Sequence, residues 1–120
     1  MIIIDTVVQA RGLGRKLGYP TANLAHRHRI RAGVYAAEVV IAGTMHQGFL
    51  IVGAFKKPDL TLAEEVHVLD FNGDLYHTMV QVDVKKKLRA MKKFKSDDEL
   101  KGQIHNDIVC LRALLPTLVR

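Results

Sequence analysis

Short runs of β-branched residues recur along this chain, and each is cut off by a tight turn. Ile2, Ile3, Ile4, Val7 and Val8 form the first, and Val34–Ile41 follows Gly33 and stops at Ala42-Gly43. Met45–Val52 then stops at Gly53, and Glu64–Phe71 at Asn72-Gly73-Asp74. β-branched and aromatic side chains suit a pleated, half-buried surface, so these runs read as strands. Gly43-Thr44 reads as the tip of a hairpin. Asn72-Gly73 is the strongest turn signal in the chain, and Leu75–Val84 is expected to pair back from it. The pattern then changes. Ser96 and Glu99 stand at capping-box spacing, and Leu100, Ile104, Ile108, Leu111 and Leu115 recur at helical spacing down to Pro116. Gly102 weakens that helix by about 1 kcal/mol relative to alanine. Five or so strands and one terminal helix make a mostly antiparallel sheet. Several strands are apolar on both faces, which favours closure into a small barrel that leaves no open edge.

The chain of 120 residues reads as a single domain, residues 1–120, with enough apolar residues (48%) for a real core. No apolar run is long enough to cross a bilayer, and Met1–Asp5 is too short for a signal peptide, so a cytoplasmic location is expected. Cys110 is the single cysteine, which excludes an internal disulfide; inert helix packing is its expected role. The formal charge of +6 implies an anionic partner. That charge gathers in Arg11–Arg31 and in Lys85–Lys95. His26-Arg27-His28-Arg29-Ile30-Arg31 reads as a solvated basic connector, since two histidines with no acid beside them are a weak metal signal.

The chemistry concentrates in Gly12–Leu24. Gly12, Gly14 and Gly18 let the backbone approach a ligand closely and turn N–H groups toward phosphate oxygens. Arg15 and Lys16 add positive charge there. Thr21 and Asn23 are two residues apart and share one side of an extended segment; a hydroxyl and an amide oxygen so placed suit Mg²⁺ beside substrate phosphates. The other reading is a surface turn with solvated cations. The stretch is neither a Walker A loop nor a dinucleotide fingerprint, because both need other spacings.

A base for a substrate hydroxyl needs a carboxylate close to this loop. Glu65 shares a strand face with His67, Leu69 and Phe71, and Glu64 the other face with Val66, Val68 and Asp70. Periodicity alone does not choose between them, and Glu65 could equally pair with a cation. Leu88, Met91 and Phe94 interleave with the cations of Lys85–Lys95, either as a solvated face for nucleic acid or as a loop covering a ligand. One aromatic is few for stacking on single-stranded bases.

Taken together, these motifs resemble the riboflavin kinase (flavokinase) family. The chain carries Gly14-Arg15-Lys16-Leu17-Gly18-Tyr19-Pro20-Thr21-Ala22-Asn23-Leu24, then Gly33-Val34-Tyr35-Ala36 and Glu65-Val66-His67-Val68-Leu69-Asp70-Phe71. Gly73-Asp74-Leu75-Tyr76, Leu88-Arg89 with Phe94, and the acid-capped segment from Ser96 to Asp107 follow in family order. The resemblance implies a six-stranded antiparallel Greek-key barrel with a C-terminal helix. It implies transfer of the ATP γ-phosphoryl group to the ribityl 5′-hydroxyl of riboflavin, giving FMN and ADP. On that likeness Glu65 is the general base, and Thr21 and Asn23 hold Mg²⁺. Gly12, Gly14, Arg15, Lys16, Gly18, Tyr19 and Pro20, with Thr21 and Asn23, bind the nucleotide. Leu88, Arg89, Met91, Phe94 and Leu100 close over the flavin.

The chain departs from the family pattern in four places. Ala10 and Leu13 stand where glycine and arginine are common. Val52–Leu60 only loosely follows an Asn-Ile-Gly-x-x-Pro-Thr-Phe pattern, and His77 replaces a glycine. At 120 residues the chain is expected to be the kinase module without the FMN adenylyltransferase domain that many bacterial members of the family carry. A monomer with no specific nucleic acid or membrane partner is expected. The competing reading is a flavin- or nucleotide-binding module of the same fold without turnover.

Overall fold

The computed structural model describes residues 1–8, 21–56, 62–71, 75 and 77–119. Six strands and one helix follow in order: β1 (Ile2–Val8), β2 (Thr21–Leu24), β3 (Gly33–Ile41), β4 (Thr44–Lys56), β5 (Leu62–Val68), β6 (Met79–Arg89) and α1 (Asp97–Val119). All strand pairs are antiparallel, and the sheet closes on itself in the order β1-β2-β5-β4-β3-β6.

Alternation along each strand divides the side chains between the inside and outside of this barrel. Ile3 and Val7, Ala22 and Leu24, Ala37, Val39 and Ile41, Leu50 and Val52, Val66 and Val68, and Val80 and Val82 meet inside. The outer wall of β3 and β4 buries a second apolar layer. Val34, Ala36, Phe49 and Leu69 are covered there by Leu111, Ile108 and Leu114 of α1 and by Leu88 and Met91. The strands apolar on both faces are therefore those under the helix, whereas Ile2 and Ile4 of β1 point outward into solvent.

Two turns behave differently from their sequence signals. The β3–β4 hairpin turns at Ala42-Gly43, one residue before the expected tip, with positive φ at both positions (49° and 82°) and Ile41 opposite Thr44. That is the backbone a two-residue hairpin turn requires, and Ala42 adopts it without the asparagine or glycine that favours it. The chain segment around Asn72-Gly73 does not join paired strands. β5 spends its two edges on β2 and β4, and β6 spends its own on β3 and β1. A turn signal reports a local reversal of the chain, not the partners chosen on either side of it. Residues 72–74 and 76 lie outside the described residues.

Ser96 caps α1 through its Oγ, which accepts the Glu99 N–H at 3.1 Å, and Asp97, Asp98 and Glu99 lie at the positive end of the helix dipole. The helix runs past Pro116 to Val119. Cys110 lies on its exposed side as a free thiol, so it is not the packing residue its helix position suggested.

Candidate active site

The short strand β2 is wedged between β1 and β5, and its register puts the proposed metal and base residues side by side. Asn23 stands opposite Glu65, and Thr21 opposite His67. On the far edge of β5, Glu65 is opposite Ile51 and His67 opposite Phe49; these continue to Val34 and Ala36 of β3. Two rows thus cross the outer wall. One runs Asn23, Glu65, Ile51, Val34 and Arg89, and the other Thr21, His67, Phe49, Ala36 and Lys86. Directly opposed side chains lie roughly 5 Å apart. Each row begins on β2, passes a carboxylate or imidazole on β5, crosses the apolar layer and ends on a cation of β6.

This placement separates the two glutamates that the pattern left equivalent. Glu65 faces the outer wall with His67 and Leu69, and Glu64 faces inward with Val66 and Val68. Both are nearly sealed from solvent, at 3% and 4% exposure, so exposure does not distinguish them; the faces do. Glu64 accepts the His28 backbone N–H at 2.8 Å and meets His28 Nδ1 at 2.6 Å, at one end of the barrel. His28, 22% exposed, therefore departs from the solvated connector, whereas His26 stays 78% exposed while its ring meets an acid. Their acidic partners come from strands far away in sequence, Asp5 on β1 and Glu64 on β5.

His67 is buried at 5% exposure, with its ring 5.6 Å from that of Phe49. Burial pushes its pKa down to about 4, since a charged imidazolium loses its hydration there. At neutral pH it brings no positive charge to the row beside Glu65. Gly48 is what lets β4 lie so close: a Cβ there would sit 2.4 Å from the His67 carbonyl oxygen.

Asn23 Oδ1 is buried, and a neutral amide oxygen is a hard donor of the kind Mg²⁺ accepts. Among the described residues no group of three or more His, Cys, Asp or Glu side chains could hold a metal. The donors at hand suit an ion completed by phosphate and water rather than one caged by protein. Of the expected nucleotide residues, Gly12, Gly14, Arg15, Lys16, Gly18, Tyr19 and Pro20 lie outside the described residues, as do Ala10, Leu13 and residues 57–60.

The expected flavin residues flank the apolar end of the rows. Leu88 and Met91 pack onto the outer layer, while Phe94 and Leu100 are half-buried. Arg89 does not project as a free cation. Its Nε and Nη2 grip both carboxylate oxygens of Asp107 at 2.8–3.1 Å, and Gln103 donates to the same carboxylate at 3.0 Å. The segment after β6 is thereby latched to α1. Asp107 entered the sequence reading only as the end of the family-ordered segment, with no partner assigned. Lys85, read as one cation of a basic run, bridges Asp83 at 2.7 Å and Glu38 at 3.2 Å from β6.

Known proteins resemble this chain in sequence and in fold. The riboflavin kinase (flavokinase) family model matches residues 1–115. The RNA-binding riboflavin kinase RibR of Bacillus subtilis is 36% identical over 115 residues, covering 92% of this chain and 49% of that protein. The bifunctional riboflavin kinase/FMN adenylyltransferase of Escherichia coli K12 is 39% identical over 118 residues, covering 92% of this chain and 36% of that one. The chain thus spans half or less of the length of these relatives. The crystal structure of riboflavin kinase from Trypanosoma brucei superposes with a TM-score of 0.70 at 23% identity, over 98% of this chain and 82% of that one, so the two share a fold. With the family match running over nearly its whole length, the chain belongs to the riboflavin kinase family.

Proposed function

We propose that this chain phosphorylates the ribityl 5′-hydroxyl of riboflavin with the γ-phosphoryl group of ATP, yielding FMN and ADP. The observation that carries the reading is the register of β2 against β5, with Asn23 directly opposite Glu65 and the apolar layer on the next strand. Phosphoryl transfer needs reactants held in line, charge neutralised around the phosphates, and an acceptor for the hydroxyl proton. Glu65 is the acceptor in this reading. Asn23, with Thr21, holds Mg²⁺, which when bound neutralises phosphate charge. Leu88, Met91, Phe94 and Leu100 bound the isoalloxazine, and Arg89 serves by latching their segment to Asp107. The nucleotide lies along Gly12–Asn23, with Arg15 and Lys16 on its phosphates. His67, neutral, adds no positive charge to the row beside Glu65. The protein acts as a cytoplasmic monomer without a specific nucleic-acid partner; no described helix is long and apolar enough to cross a membrane.

The test is purified chain with riboflavin, ATP and Mg²⁺, followed by chromatography. FMN that disappears on chelation of the metal is the expected result. Flavin binding without FMN, with GTP and CTP also tried as donors, would refute the reading in favour of a binding module.

A further inference from the structure

At one end of the barrel interior the connector after β2 is gripped by two buried carboxylates. Asp5 of β1 accepts the Thr6 N–H at 2.7 Å and the His26 N–H at 2.9 Å, and its Oδ1 meets His26 Nδ1 at 2.8 Å. Glu64 of β5 takes the His28 N–H and His28 Nδ1 in the same two-point manner. His28 Nε2 then reaches back to Asp5 Oδ2 at 3.3 Å, closing the cluster. The two carboxylate side chains are 2% and 3% exposed and the His28 ring 22%, while the His26 ring, at 78%, closes the cluster from the solvent side. Burial alone would raise the Asp5 pKa, but the His26 ring, the two N–H donors and the His26 charge together hold it below the usual value.

The elements joined are β1, the exit of β2, and β5, which are consecutive in the barrel. β2 has four residues, with two register pairs to β1 and three to β5. So short a strand is weakly fixed by its own ladder. A slip of one residue would turn Asn23 into the barrel and bring Ala22 and Leu24 out. We propose that Asp5, His26, His28 and Glu64 are positioning residues for phosphoryl transfer, an ionic staple that fixes the register of β2 and so holds Asn23 opposite Glu65. The proposal rests on the kinase reading for its consequence in catalysis, and on the hydrogen bonds alone for its consequence in structure.

Both consequences are measurable. In the Glu64→Gln and Asp5→Asn variants, amide exchange at Ala22, Asn23 and Leu24 is expected to speed up by about tenfold or more, while β3 amides keep their protection. At a temperature well below unfolding, KM for Mg-ATP rises about tenfold, and KM for riboflavin changes by less than about twofold. A purely structural role gives a lower Tm, a uniform rise in exchange and unchanged kinetics, and that result overturns the proposal. If both variants fail to fold, native-state exchange of the wild-type chain decides. The His26 and His28 amides and those of β2 open together as one unit, or they open independently and the staple is refuted. Should the wild-type chain make no FMN, the kinase reading falls, and the exchange data still judge the staple.

Discussion

The buried imidazole of His67 makes a quantitative prediction about acid stability. In the unfolded chain it takes up a proton near pH 6.5; in the folded barrel it does so only at about 4. Between those values the unfolded state binds the extra proton and the folded state does not, so stability falls as pH falls. The gap, at about 1.4 kcal/mol per pH unit, amounts to about 3 kcal/mol lost from pH 7 to pH 4. That is a large share of the roughly 5–15 kcal/mol that holds a small domain together. The replacement His67→Gln cannot titrate, so its stability should decline less over the same interval by about that amount. Urea unfolding at each pH, with m checked for constancy, gives both profiles. Differencing them cancels every group common to both proteins, and the absolute stability of the variant is immaterial. Asp5 does not confuse the window: its pKa is lowered from 3.8, so the stability it contributes is present above that value and lost only as pH falls below it. Parallel profiles between pH 6.5 and 4 would refute the reasoning, because they would mean that folded His67 accepts a proton as readily as the free side chain.

Replacing Glu65 by glutamine should lower FMN formation by about 10²–10⁴-fold while riboflavin and nucleotide binding, followed by flavin fluorescence and calorimetry, change little; loss of binding or folding instead would make the carboxylate structural. Asp107→Asn unpairs the Arg89 guanidinium and should cost about 3 kcal/mol in denaturant unfolding, with KM for riboflavin rising more than KM for ATP, because the latched segment lies at the apolar end of the rows. His77 has φ of 65° where the family carries glycine, and its N–H is bonded to the Val7 carbonyl. His77→Gly removes the left-handed strain and should stabilise by up to about 1 kcal/mol, read as a higher Tm with unchanged kinetics.

What could be read from the sequence divides along the range of the interactions concerned. β1, β3 and the start of α1 rest on local alternation and capping, and each stands where the pattern puts it, whereas β6 spans Met79–Arg89 rather than the expected Leu75–Val84. The outward turn of Glu65 and inward turn of Glu64 depend on which face of β5 meets the barrel interior. Leucine, phenylalanine and histidine on one side and valine on the other gave no contrast, because helix α1 makes the outside of this wall apolar too. The family likeness chose Glu65, and the register of β5 gives that choice its geometric sense. Asn72-Gly73 misled because pairing partners in a Greek-key sheet are selected over the whole chain, not at the turn. The acids that meet His26 and His28 escaped notice for a related reason: they lie 21 and 36 positions away.

The packing around β2 also bears on why the proposed reactive face lies outside the barrel rather than within it. The interior is filled by the valine, isoleucine and leucine of all six strands and has an ionic cluster at one end, which leaves a rigid but occupied core. Residues on the outer wall inherit that rigidity through the backbone ladders without having to contribute to the packing. Asn23 and Glu65 can then be held to the spacing of paired strands, roughly 5 Å, by bonds that the substrate never has to displace. The apolar layer under α1 plays the complementary part. It lies one strand from Glu65, and Leu88 and Met91 both pack into it and border the place proposed for the flavin. In the proposed reading, the flavin end of the rows and the β2–β5 register are therefore held by different contacts, the first by packing on the apolar layer and the second by the strand ladder.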